Sequence, residues 1–157
     1  VVESTFFPGL VLDEVYEKFH NTCSAKNLTL SKHLPYLVDG FQIKADRALL
    51  VKVLSHLVDN AIKFTPYGHV SFGFELRGSE LEFFVQDTGV GINKDAFVLI
   101  FDSFEQEDVS NTRSHEGSGL GLSIAKTMTE KMGGHIWFQS VKGEGSTFYF
   151  TIPCNLH

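Results

Sequence analysis

Glu80-Leu81-Glu82-Phe83-Phe84-Val85-Gln86-Asp87-Thr88-Gly89-Val90-Gly91 carries the reading of this chain, because a strand-like run ends there on a carboxylate and two glycines. Together with His69 to Arg77 and the break at Gly78-Ser79, it predicts a β-hairpin. Upstream, Leu49, Leu50, Val53, Leu54, Leu57, Val58, Ala61 and Ile62 recur at intervals of three and four. With Asp46 as N-cap they predict a long helix, ended by Pro66 and Gly68. Leu10, Val11, Val15 and Phe19 predict an earlier helix from Pro8 to about Ala25, with proline suited to the first turn. Short strands are expected at Leu28 to Leu30 and Gly40 to Lys44. Downstream, Asn93 can cap a short helix through Phe101, and the polar stretch Glu105 to Glu116 reads as a mobile loop. A helix from about Gly119 to Met132 and strands near His135 to Ser140 and Ser146 to Ile152 complete the chain.

Strands gathered beside helices, without strict βαβ alternation, predict an α+β fold. The expected architecture is a two-layer α/β sandwich, a mixed, mostly antiparallel sheet covered on one face by helices. A chain of 157 residues with 43% hydrophobic content supports one well-buried domain, 1–157. Thirteen basic against 19 acidic residues give a net charge of −6, which argues against a nucleic-acid surface. Cys23 and Cys154 lie far apart with no metal-binding spacing, which fits a reducing, cytosolic setting. No apolar run approaches the roughly 18 residues of a membrane span, so direct membrane insertion is not expected. The start, Val1-Val2-Glu3-Ser4, has no signal-peptide character and reads as a cut from a longer protein.

The chemistry lies between two glycine clusters. Asp87 at a strand end can accept a hydrogen bond from an exocyclic amino group such as that of adenine, and Gly89 and Gly91 let a base approach the backbone. The same residues in isolation describe a strand-end turn. Gly117-Ser118-Gly119-Leu120-Gly121 opens a helix, whose free N–H groups favour a triphosphate; alone, the cluster reads equally as a hinge. It lacks the Lys-Ser/Thr of a P-loop. Asn60 and Lys63 share a helix face, an oxygen ligand for Mg²⁺ beside a phosphate-seeking ammonium. Each has an ordinary surface reading too; their conjunction in one short domain favours a single ATP site.

These residues resemble the sensor histidine kinases. His56-Leu57-Val58-Asp59-Asn60-Ala61-Ile62-Lys63-Phe64-Thr65 is similar to their N box, Asp87-Thr88-Gly89-Val90-Gly91-Ile92 to the G1 box and Phe101-Asp102-Ser103-Phe104 to the F box. Gly117 to Lys126 resembles the G2 box, and Gly145-Ser146-Thr147-Phe148 the closing glycine-threonine motif. The boxes stand in order over nearly the whole chain. The resemblance implies a Bergerat-type ATP-binding sandwich that passes the γ-phosphoryl of MgATP to a histidine on a separate dimerisation domain, preceding residue 1. A response-regulator receiver domain would be an indirect partner. It implies Asp87 on adenine, with Gly89, Gly91 and Phe64 in the nucleotide site, Asn60 on Mg²⁺, and Lys63 on the phosphates. Gly117, Gly119, Leu120 and Gly121 would cradle those phosphates, Thr147 would join the nucleotide site, and Arg113 in the lid would meet the γ-phosphate. Phe101 and Phe104 would anchor the lid. The domain would be the cytosolic portion of a membrane-bound or hybrid parent.

One position departs from the family. His56 stands where these kinases carry the first asparagine of the N box, one helical turn before Asn60. Neutral imidazole could bond a metal-bound water, whereas imidazolium would repel Mg²⁺. Gyrase, MutL and the heat-shock chaperone ATPases carry a glutamate general base there, and its absence counts against hydrolysis. His115-Glu116 has the acceptor dipeptide but lies in the polar loop, and no other histidine has an acceptor context. The alternatives to a histidine kinase are therefore an ATPase or serine kinase of the same superfamily, or a nucleotide-sensing module impaired by His56.

Overall fold

A computed structural model describes residues 1–35, 40–96 and 120–154. Helix α1 runs Gly9–Ala25 and α2 runs Arg47–Lys63. The Asp46 carboxylate caps α2 by accepting from the Leu49 N–H at 3.0 Å, as its sequence position predicts. A third helix, α3, spans Leu120–Lys131. The strands are β1 (Ser4–Phe6), β2 (Leu28–His33), β3 (Ile43–Ala45), β4 (Gly68–Arg77), β5 (Glu80–Asp87), β6 (Ile136–Val141) and β7 (Gly145–Pro153). Asn93 accepts from the Asp95 N–H at 3.1 Å and opens a 3-10 turn at Lys94–Ala96. The expected continuation through Phe101 and the loop 105–116 lie outside the described residues.

Five strands form one sheet in the order β2-β4-β5-β7-β6, in which only β2 and β4 are parallel. The predicted hairpin is β4-β5, in register from Val70 opposite Asp87 to Arg77 opposite Glu80. Strands β1 and β3 pair separately and antiparallel, where the sequence pattern had announced only the second of them. A three-residue strand is too short to show a period, so β1 carried no local signal.

The core lies between one sheet face and the three helices. Phe74, Phe83 and Phe150 stand in register on that face, with ring centroids 5.4 and 4.8 Å apart. Val11, Leu12 and Val15 from α1, Leu50, Leu54 and Leu57 from α2, and Leu122 and Ala125 from α3 close over the sheet. Burying each valine, leucine or phenylalanine side chain among them contributes roughly 1.5–3 kcal/mol, so these rows hold the layers together. Leu10, counted in the helical repeat of α1, turns to solvent instead, and the buried stripe runs Val11, Leu12, Val15, Phe19 and Cys23. The result is the expected two-layer sandwich of a mixed sheet with helices on one face. Among the described residues, no helix is long and apolar enough to cross a membrane.

Candidate functional site

The end of β5, the end of α2 and the β6-β7 turn meet at one place. Asp87 closes β5 with its carboxylate buried, at 6% exposure. Its Oδ1 accepts from the Gly89 N–H at 2.8 Å and from the Ser146 N–H at 3.3 Å. Among the described residues, no partner reaches Oδ2. Burial pushes this carboxyl up from its ordinary value, while the two backbone donors pull it down and lose. A buried carboxylate with one oxygen fixed and the other unused is a directional acceptor for an N–H donor.

The loop after Asp87 is held against α2. Val90 donates its N–H to the Phe64 carbonyl at 3.1 Å, and Phe64 donates its own to the Asn60 carbonyl at 3.0 Å, closing the helix. A Cβ on Gly89 would collide with that Phe64 carbonyl oxygen, so only glycine allows this approach. Gly91 has φ +74, and a Cβ there would strike the Val141 carbonyl. The Gly143 N–H then donates to the Val90 carbonyl at 2.7 Å, so the β6-β7 turn grips the loop from the other side. Phe64 itself leaves its ring partly exposed at the end of α2.

On α2, the Asn60 amide nitrogen is buried without a hydrogen-bond partner, one of two such atoms among the described residues, with Ser55 Oγ. An orphaned buried donor costs on the order of 1–3 kcal/mol, so a partner from a bound group is worth more here than at the surface. The amide as a whole fits a phosphate and its cation, nitrogen toward an anionic oxygen and carbonyl toward the metal. No cluster of three or more His, Cys, Asp or Glu side chains forms a metal cage among the described residues.

His56, one turn earlier, is half-buried. Burial holds its pKa below the ordinary imidazole value; Asp59 opposes this, and Lys18, Lys52 and Lys63 reinforce it. The ring is therefore neutral at pH 7. Lys63 is exposed, and its ammonium pairs with Asp59 at 3.2 Å, a solvated i,i+4 pair worth a few tenths of a kcal/mol. It can exchange that partner for a phosphate at small cost.

Thr147 corrects the sequence reading. Its register partners are Gln86 and Gln139, while Asp87 faces Ser146. Side chains alternate along a strand, so Thr147 stands on the face away from Asp87, and its predecessor reaches the site. The sequence also passed over Ser140. Its Oγ accepts from the Ile92 N–H at 2.8 Å, lies 2.8 Å from Ser146 Oγ and donates to the Gly145 carbonyl at 3.1 Å. A lone serine in a strand carries no motif that would have flagged it. Leu120 and Gly121 open α3. Arg113, Gly117, Gly119, Phe101 and Phe104 lie outside the described residues.

Comparison with known proteins adds the family context. A family model described as histidine kinase-, DNA gyrase B-, and HSP90-like ATPase matches residues 45–156. The chain is 40% identical over 133 residues to the sensor histidine kinase WalK of Bacillus subtilis, covering 80% of this chain and 22% of that protein. It is 44% identical over 117 residues to the sensory/regulatory protein RpfC of Xanthomonas campestris, covering 71% of this chain and 16% of RpfC. The chain thus spans less than a quarter of these relatives' lengths. Full-length ShkA in complex with AMPPNP superposes with a TM-score of 0.84 at 28% identity, over all of this chain and 32% of ShkA. The nucleotide-free catalytic domain of histidine kinase ThkA superposes with a TM-score of 0.81 at 26% identity, over 98% of this chain and 96% of that domain.

Proposed function

This chain belongs to the histidine kinase-, DNA gyrase B- and HSP90-like ATPases and is a catalytic domain of the histidine-kinase kind, and from that premise we propose that it binds MgATP and donates the γ-phosphoryl group to a histidine on a separate dimerisation domain. The observation that carries the reading is Asp87, a buried carboxylate tied through one oxygen to Gly89 and Ser146 and free, among the described residues, at the other. The complex of ShkA with AMPPNP supports the same ligand class.

Asp87 accepts from the exocyclic amino group of adenine, and the fixed loop Gly89 to Gly91 sets the base against the backbone. Asn60 and the nucleotide phosphates would hold Mg²⁺, which supplies charge neutralisation on the transferring group. Lys63 leaves Asp59 for the phosphates, and Arg113 and the Gly117 to Gly121 segment complete the phosphate contacts. A nitrogen of the acceptor histidine attacks the γ-phosphorus, the bond to the bridging oxygen breaks, and ADP leaves. The protein's work is to position and to neutralise charge. His56 carries no carboxylate to activate water, which favours transfer over hydrolysis. We place this work in the cytosol, with a receiver domain served through the phosphorylated histidine.

Thermal unfolding with MgATP tests binding. Ligand at 100 times its dissociation constant stabilises the fold by about 2.7 kcal/mol, and no shift at millimolar MgATP overturns the reading. Phosphotransfer from labelled ATP in a longer chain that includes the acceptor helices tests the reaction. Steady phosphate release by this domain alone would favour an ATPase instead. A second reading, a nucleotide sensor without transfer, rests on the histidine at position 56 in place of the N-box asparagine, and binding without transfer in that longer chain would favour it.

A further inference from the structure

We propose that Ser140 is a positioning residue for base recognition, its hydroxyl locking the loop that follows Asp87 into the shape that reads the exocyclic amino group of adenine. The proposal rests on the nucleotide reading above and adds a residue outside every glycine motif. A serine hydroxyl offers one proton and two lone pairs, and Ser140 uses all three. Its proton goes to the Gly145 carbonyl at 3.1 Å, so the 2.8 Å contact with Ser146 Oγ is donated by Ser146. Its remaining lone pair accepts from the Ile92 N–H at 2.8 Å.

This places one side chain between the two ends of the recognition loop. Ser140 and Ser146 are register partners on β6 and β7, and the Ser146 N–H holds Asp87 Oδ1. At the loop's start, Gly89 is tied to the same oxygen; at its end, Ile92 is tied to Ser140. The carboxylate and the loop therefore share one anchor on the β6-β7 hairpin. Without the hydroxyl, the Ile92 N–H and the Ser146 hydroxyl lose their partner, and the loop is no longer fixed relative to Asp87.

The test compares the affinities of MgATP and of purine riboside triphosphate, which lacks only the exocyclic amino group. Wild type should prefer MgATP. Ser140→Ala should lose about tenfold in MgATP affinity, the size expected for disturbing one buried hydrogen-bonded contact, with little change for the analogue. Ser140→Thr, which retains the hydroxyl, should restore the preference. Parallel losses for both ligands, or an unchanged preference, would overturn the proposal while leaving the nucleotide reading intact. A wild type that binds MgATP without preference overturns both the Asp87 assignment and this role. If Ser140→Ala does not fold, the near-isosteric Ser140→Cys is judged by the same ratio.

Discussion

The Ser146 N–H and the Asp87 carboxylate meet at 3.3 Å across β7 and β5, where the strand register sets the two residues opposite each other. A neutral amide at position 87 would still accept from Ser146 and Gly89 through its oxygen. It would not carry the charge that burial disfavours, and burial is the dominant cause of the raised carboxyl pKa. Asp87→Asn should therefore melt no lower than wild type at neutral pH while losing most MgATP affinity. Because the folded-state value is raised, any stability advantage of the variant is full above that value and fades as pH falls through it toward the unfolded one. Calorimetry across pH, beside nucleotide titration, checks both halves; unchanged ATP affinity would remove Asp87 from base recognition.

Gly89 shows the same site from its backbone side. Any side chain there meets the Phe64 carbonyl, which is already engaged by the Val90 N–H. Gly89→Ala must push the loop from the end of α2, a strain of about 1–3 kcal/mol. Denaturant unfolding should show that loss, and MgATP affinity should fall with it.

The core helices were legible because their signals are local: the three-and-four repeat and the cap at Asp46 act within a few residues. Asp87, Gly89 and Gly91 were legible for a similar reason, as a strand end followed by glycines. The choice between Ser146 and Thr147 was not, since it depends on which parity of β7 faces Asp87, and register is fixed by pairing with a distant strand. Ser140 was hidden for the same cause, because its three partners come from the loop at Ile92 and from the start of β7. The Lys63–Asp59 pair is local, an i,i+4 spacing that holds the lysine on the helix surface whether or not a phosphate is near.

Asp46 joins two parts of the fold. Its carboxylate caps α2 through Leu49 and also accepts from the Val2 N–H at 2.8 Å, beside β1. Burial would raise its pKa, but these backbone donors outweigh that and hold it below the ordinary value. A depressed carboxyl adds stability above its unfolded pKa and loses it as pH falls through the folded one. Asp46→Ala should cost about 1 kcal/mol at neutral pH, the usual worth of an N-cap. The cost should vanish in strong acid, and urea unfolding at both extremes measures the difference.

His56 titrates in the opposite sense. Its folded-state pKa lies below the unfolded value of about 6.5, because burial and the lysines at 18, 52 and 63 disfavour imidazolium despite Asp59. As pH drops below about 6.5, the unfolded chain takes up a proton there that the folded domain refuses. Stability then declines until the depressed folded value is passed, and levels off beneath it. His56→Asn removes this site, so its unfolding free energy should fall less than that of wild type between pH 7 and pH 5. Chemical denaturation at half-unit pH steps measures both curves, and parallel curves would show that position 56 carries no depressed histidine. The same variant places an asparagine where the resemblance to the N box expects one, and its Mg²⁺-dependent ATP affinity should equal or exceed that of wild type. A marked loss of affinity would instead assign the neutral imidazole a direct part in holding the nucleotide.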